Sequence, residues 1–155
     1  MTLATRRGEL SDLHELLRLR AVMFRDMGHD VTATEWLDEA KSALERGLRS
    51  GTIIAAVVDH ESSLVAGGLL QIFDRLATPH FPRGTFGYLG SIVVDEPHRR
   101  RGLGTQIVGA LVEEARHLGL ERVELHATKN GEGLYRSFGF RERGGGLEMR
   151  LELGR

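Results

Sequence analysis

The chain has 155 residues, with 21 basic and 22 acidic side chains and a formal net charge of −1. That balance gives no bulk attraction to nucleic acid or to an acidic membrane surface. No cysteine is present, so disulfides, thiolate metal sites and a cysteine nucleophile are excluded.

The length suits one domain over residues 1–155 with a sizeable core. No apolar run reaches the roughly 18 residues of a spanning helix, and no signal-type apolar region opens the chain. A cytoplasmic protein is expected, with neither membrane nor nucleic acid as partner and no metal site.

Residues 2–6 are a short candidate first strand. Ser11 or Asp12 can cap a helix to about Met27, with Leu13, Leu16, Leu17, Ala21 and Phe24 on one face. Met27-Gly28-His29-Asp30 breaks it. A second helix is predicted over about 34–49. Thr32 and Glu35 have capping-box spacing, and Thr34 is an equally good cap. Residues 52–58 and 64–73 are two apolar strands separated by the polar stretch Asp59–Ser63, which predicts an antiparallel hairpin. Pro79, Pro82 and Gly84 make 74–85 a loop, in which Arg75, His80 and Arg83 are polar candidates for facing a ligand.

Residues 86–118 form the centre of the chain. Ile92, Val93 and Val94 are β-branched and apolar, as a buried strand end requires. Apolar residues then recur at Leu103, Ile107, Val108, Leu111, Ala115 and Leu118, the spacing of a helix with one buried face. Gly119 is its expected stop. Between strand and helix lies Arg99-Arg100-Arg101-Gly102-Leu103-Gly104. A loop feeding a helix N-terminus presents unpartnered N–H groups and the positive end of the helix dipole. Arginines add forked donors suited to phosphate. The predicted ligand is a phosphate or pyrophosphate. The loop is no P-loop, and Ile107 stands where a dinucleotide fingerprint has its third glycine.

After Gly119, strand 122–128 should run parallel to 86–94, joined by helix 104–118 in a right-handed crossover. A turn at 129–133 leads to a short helix carrying Leu134, Tyr135 and Phe138. Strands 139–143 and 147–153 are predicted to close the chain around the turn Gly144-Gly145-Gly146.

The order Arg99-x-x-Gly102-x-Gly104, followed by Leu134-Tyr135-Arg136-Ser137-Phe138-Gly139-Phe140, resembles the acyl-CoA loop and closing segment of the GCN5-related N-acetyltransferases (the GNAT family). The resemblance implies an α/β (α+β) fold: a mixed, mostly antiparallel sheet of six to seven strands, a central parallel pair of fourth and fifth strands that splay apart, and about four helices. It implies acetyl-CoA as co-substrate. The pantetheine arm would lie along backbone groups of Ile92, Val93 and Val94. The pyrophosphate would sit on amides from Arg100 to Thr105, including Leu103 and Gly104, with Arg99, Arg100 and Arg101 supplementing them. Asn130 is a further candidate for cofactor contact, because Thr128 stands where many relatives carry asparagine. The segment between the first two helices would line the acceptor pocket, making Phe24, His29 and Trp36 candidates; core packing for Phe24 and Trp36, and a plain loop position for His29, stay open.

The implied reaction is direct attack of an amine on the thioester within a ternary complex. Tyr135 matches the family's tyrosine that protonates the leaving thiolate. The base is open. Many relatives place a glutamate on the fourth strand, where this chain has Tyr88 and, further along, Ser91. His126, Glu96, an acidic residue of 26–35, or a water held by Tyr88 and Ser91 are the candidates. An N-acetyltransferase acting on a small-molecule amine is the first reading. A protein or peptide N-acetyltransferase and a non-catalytic acyl-CoA sensor are the alternatives. A homodimer through the last strands is a resemblance-based expectation.

Overall fold

The computed structural model describes residues 2–154. Its sheet has five strands in the order β1-β2-β3-β4-β5. They are β1 (Thr5–Arg7), β2 (Ile53–His60), β3 (Ser63–Asp74), β4 (Thr85–Val94) and β5 (Val123–Leu125), and the helices are α1 (Leu13–Asp26), α2 (Glu35–Ser50), α3 (Leu103–His117) and α4 (Glu132–Ser137). β1 to β4 pair antiparallel, and β5 joins β4 in parallel.

Alternation along the strands divides the core into two layers. Ile54, Ala56, Val58, Leu70 and Leu89 meet Leu103, Ile107, Val108 and Leu111 of α3 on one face. Ile53, Ala55, Val57, Leu69 and Val93 meet Leu16, Leu17 and Leu19 of α1 and Leu44 of α2 on the other. This is the pleat's period of two matched to helices with one apolar stripe. Gly68 of β3 lets α3 settle closely, since a Cβ there would lie 2.6 Å from side-chain carbons of both Ile107 and Ile92.

The predicted helix limits agree within two residues, and Gly119 ends the α3 helix in the left-handed region at φ 70°. Leu120 N–H closes the stop by donating to the Ala115 carbonyl at 3.0 Å. The hairpin turn is tighter than predicted. Its ladder runs to His60↔Ser63, leaving Glu61 and Ser62 at the tip. The capping box from Thr32 does not form. Thr34 is the N-cap, and the Thr32 hydroxyl donates to Asp30 at 2.7 Å instead.

Strands 139–143 and 147–153 are not found: residues 138–154 join no ladder, so the sheet has five paired strands rather than six or seven. Three adjacent glycines, with Gly145 at φ 108°, make ordering of that turn entropically expensive. β5 also offers a short edge, because its ladder stops at Leu125 rather than 128. Leu147, Met149, Leu151 and Leu153 are consequently 80–90% exposed.

Candidate active site

The β4–β5 pairing covers Gly87↔Val123, Tyr88↔Glu124 and Leu89↔Leu125 and then ends. Beyond it β4 continues to Val94 paired with β3 alone, which leaves its β5-side edge open as a slot beside Ser91–Val94. A bulge lies at its start. Gly90 faces Leu69 and Val93 faces Gly67, so Ser91 and Ile92 together oppose Gly68. Ser91 takes the strain, at φ 52°. Ile92 and Val94 pack toward α3, and Val93 toward α1.

The slot leads into the basic loop. Arg100 and Gly102 both have positive φ, 63° and 77°. The first helical hydrogen bond of α3 runs from Gln106 N–H to the Gly102 carbonyl at 3.1 Å. Among the described residues, no acceptor takes the N–H groups from Arg100 through Thr105. Six successive free amides at the positive end of a 15-residue helix form a concave donor set for an anion. A Cβ on Gly102 would meet nothing within 4 Å, so its face is open to a ligand.

The three arginines do not act alike. The Arg99 Nε donates to the Val94 carbonyl at 2.9 Å, and its guanidinium pairs with Asp26 at the end of α1. Arg99 is thus a strap between β4 and α1. Arg100 and Arg101 are exposed and form no ion pair among the described residues; Arg101 lies 3.3 Å from His98 Nδ1.

A cavity of about 1410 Å³ adjoins β5 and is lined by Tyr88, His126, Thr128 and Tyr135 among others. It brings together three of the four predicted catalytic side chains; Ser91 is not among its lining residues. Tyr135 is half-buried on α4, edge-on to Phe140 at 6.1 Å between ring centroids. Burial pushes its phenol above the ordinary tyrosine value. His126 is exposed past the end of β5. Asn130 lies exposed in the turn before α4 and is not among the residues lining that cavity.

Glu124 was missed by sequence reasoning, which sought a carboxylate on β4. It stands opposite Tyr88 in register, with its side chain 10% exposed, and receives Arg75 at 3.3 Å and Arg143 at 2.6 Å. Its signal was the alternation Val123-Glu124-Leu125. Of the loop 74–85, only Arg75 reaches this region, stacking 4.3 Å over Phe86. Arg83 instead bonds the Gly119 carbonyl.

On the α1 side, Phe24, His29 and Trp36 do come together. Phe24 meets His29 at 5.7 Å and Trp36 at 5.6 Å, both edge-to-face. Among the described residues no group of three or more His, Asp or Glu is placed to hold a metal. No helix of the described chain is long and apolar enough to cross a membrane.

The family model for the acetyltransferase (GNAT) family matches residues 13–140. A glucosamine 6-phosphate N-acetyltransferase from Oryza sativa is 40% identical over 60 residues, 39% of this chain and 36% of that protein. The chain covers between 30% and 49% of the length of the curated relatives it matches. Among solved structures, a predicted acetyltransferase from Clostridium acetobutylicum, solved with acetyl-CoA, superposes with a TM-score of 0.88 at 20% identity, covering 96% of each chain. A GCN5-related N-acetyltransferase from Ralstonia eutropha gives 0.86 at 27% identity, covering 98% of this chain and 99% of that one. Motif, splayed strands and family match agree, and the chain belongs to the GNAT acetyltransferase family, a family of acyltransferases.

Proposed function

We propose that the protein transfers the acetyl group of acetyl-CoA to the primary amine of a small molecule, by direct attack in a ternary complex. The observation that carries this reading is the run of six unpartnered amides from Arg100 to Thr105 at the end of an open strand slot. Those amides receive the pyrophosphate, with Arg100 and Arg101 adding charge. The free edge of β4 at Ile92, Val93 and Val94 receives the pantetheine amides in sheet-like fashion. Backbone N–H there also polarises the thioester carbonyl.

The acceptor amine approaches from the face of Phe24, His29 and Trp36, so that the two reactants are held in one site. Tyr135 donates its proton to the departing thiolate sulfur; its raised pKa keeps the donor protonated at neutral pH. His126, or a water near Tyr88, accepts the ammonium proton. Glu124 is a weaker candidate for that step because Arg75 and Arg143 already occupy its two oxygens.

Calorimetry with acetyl-CoA, followed by thiol release against an amine panel, tests the proposal. Binding with turnover on one amine class is the expected result. Binding without turnover on any small amine or peptide would favour the sensor reading, and absence of binding would overturn the assignment of the loop.

We also infer that the stripe Leu147, Met149, Leu151 and Leu153 is covered by a second copy of itself. Antiparallel self-pairing about Met149 sets Glu148 opposite Arg150 and Leu147 opposite Leu151; pairing about Leu151 sets Arg150 opposite Glu152. Both registers join opposite charges on one face and apolar side chains on the other. Light scattering should then give twice 17.2 kDa for the native chain and 17.2 kDa for Leu151→Lys. A native monomer at all concentrations tested would refute the pairing.

A further inference from the structure

Arg20 differs from the other arginines around it. It projects from α1 toward the β4 bulge and donates to the Ser91 hydroxyl. Its guanidinium carbon lies 4.9 Å over the Phe24 ring. Both partners are neutral, and among the described residues no carboxylate forms an ion pair with it. Neighbouring carboxylates are already engaged. Glu15 and Asp95 hold Arg18, and Asp26 holds Arg99. Arg20 is half-buried, and this desolvation holds its guanidinium below the usual arginine range. A partly desolvated cation with unused donors is unfavourable until an anion reaches it.

The surroundings show where that anion would come from. Phe24 carries Arg20 on its face and Trp36 on its edge, so the cation belongs to the aromatic cluster proposed for the acceptor. The Trp36 indole N–H is buried with no acceptor among the described residues, a second unsatisfied polar group in the same cluster. Ser91 aims at Arg20 only because the bulge adds an extra residue to β4 and turns it into the left-handed region. The strain therefore fixes one guanidinium donor and leaves the rest of the fork for a ligand.

We propose that Arg20 binds an oxyanion, carboxylate or phosphate, carried by the acceptor amine, and so selects anionic amines over neutral ones. This rests on the acceptor face assigned above. Glucosamine 6-phosphate, the substrate named for the rice relative, is one compound of this class.

The test uses two readouts. Trp36 is the chain's single tryptophan, so its emission reports this cluster alone. With the protein saturated by CoA to fill the loop, titration with sodium phosphate at constant ionic strength should change that emission saturably, sodium chloride should not, and Arg20→Gln should abolish the change. Steady-state acetylation then compares glucosamine 6-phosphate with glucosamine, and L-amino acids with their amides, which separates a phosphate source from a carboxylate source. For one pair, the anionic member should be favoured in kcat/KM by about 10- to 100-fold, the worth of one charge-assisted hydrogen-bond set. Arg20→Gln should collapse that preference through KM, Arg20→Lys should restore part of it, and CoA affinity should stay unchanged in both. An emission unaffected by phosphate in the native chain, or a preference unaltered in Arg20→Gln with normal CoA affinity, overturns the proposal. Loss of CoA binding in the native chain would instead overturn the reading of the loop.

Discussion

Gly102→Glu is expected to abolish CoA binding while Gly102→Ala only weakens it. Gly102 sits at φ 77°, where an L side chain is strained by roughly 1–2 kcal/mol. Its Cβ position is otherwise empty, with nothing within 4 Å. Alanine therefore adds strain alone and should reduce affinity by about 30-fold at most. Glutamate adds a negative charge beside the amides proposed to receive the pyrophosphate. Two unit charges about 4 Å apart repel by about 4 kcal/mol at an effective dielectric of 20, which corresponds to a loss of about 1000-fold. Calorimetric titration of native, Gly102→Ala and Gly102→Glu proteins with CoA checks the order. Tight binding by the glutamate variant would show that the ligand does not cross this loop.

The second large effect is at Tyr135. Replacement by phenylalanine keeps the ring that packs on Phe140 and among the α3 side chains, and removes only the hydroxyl. Turnover should fall by about 100- to 10,000-fold if the hydroxyl is the general acid, with the CoA dissociation constant within about twofold of native. The pH profile gives the sign. Burial favours the neutral phenol and raises its pKa above the ordinary value. The acid form is therefore present throughout the neutral range, and the native rate should decline only as pH rises through that raised value, above where an ordinary tyrosine titrates. That alkaline limb should be missing from Tyr135→Phe. A variant with native turnover and a native profile would reduce Tyr135 to a packing residue.

The local chain was enough to place most elements. The 3.6-residue spacing from Leu103 to Ala115, with Gly119 behind it, fixes α3 and its stop without reference to any other segment, because capping and one apolar stripe are local properties. The apolar runs around Asp59–Ser63 fix the β2–β3 hairpin in the same way. The unpartnered amides before α3 were legible in the sequence, because free N–H groups at a helix N-terminus follow from helix geometry itself.

What needed the tertiary structure were the partners of residues far apart in the chain. Strands were predicted at 139–143 and 147–153 around the turn Gly144-Gly145-Gly146, but a strand exists only when another edge pairs with it, and β5 supplies just three ladder residues. Three consecutive arginines looked alike in sequence, yet Asp26, 73 positions from Arg99, makes that one a strap. Glu124 was hidden because register, not order, sets it opposite Tyr88. Arg20 reads as one more polar residue of α1. Only the bulge that turns Ser91 toward it, 71 positions away, and the ring of Phe24 beneath it make it a cation awaiting an anion. Local periodicity thus determined most of the elements and the free amides that open α3. Long-range pairing decided which charges are neutralised within the fold and which remain for a ligand.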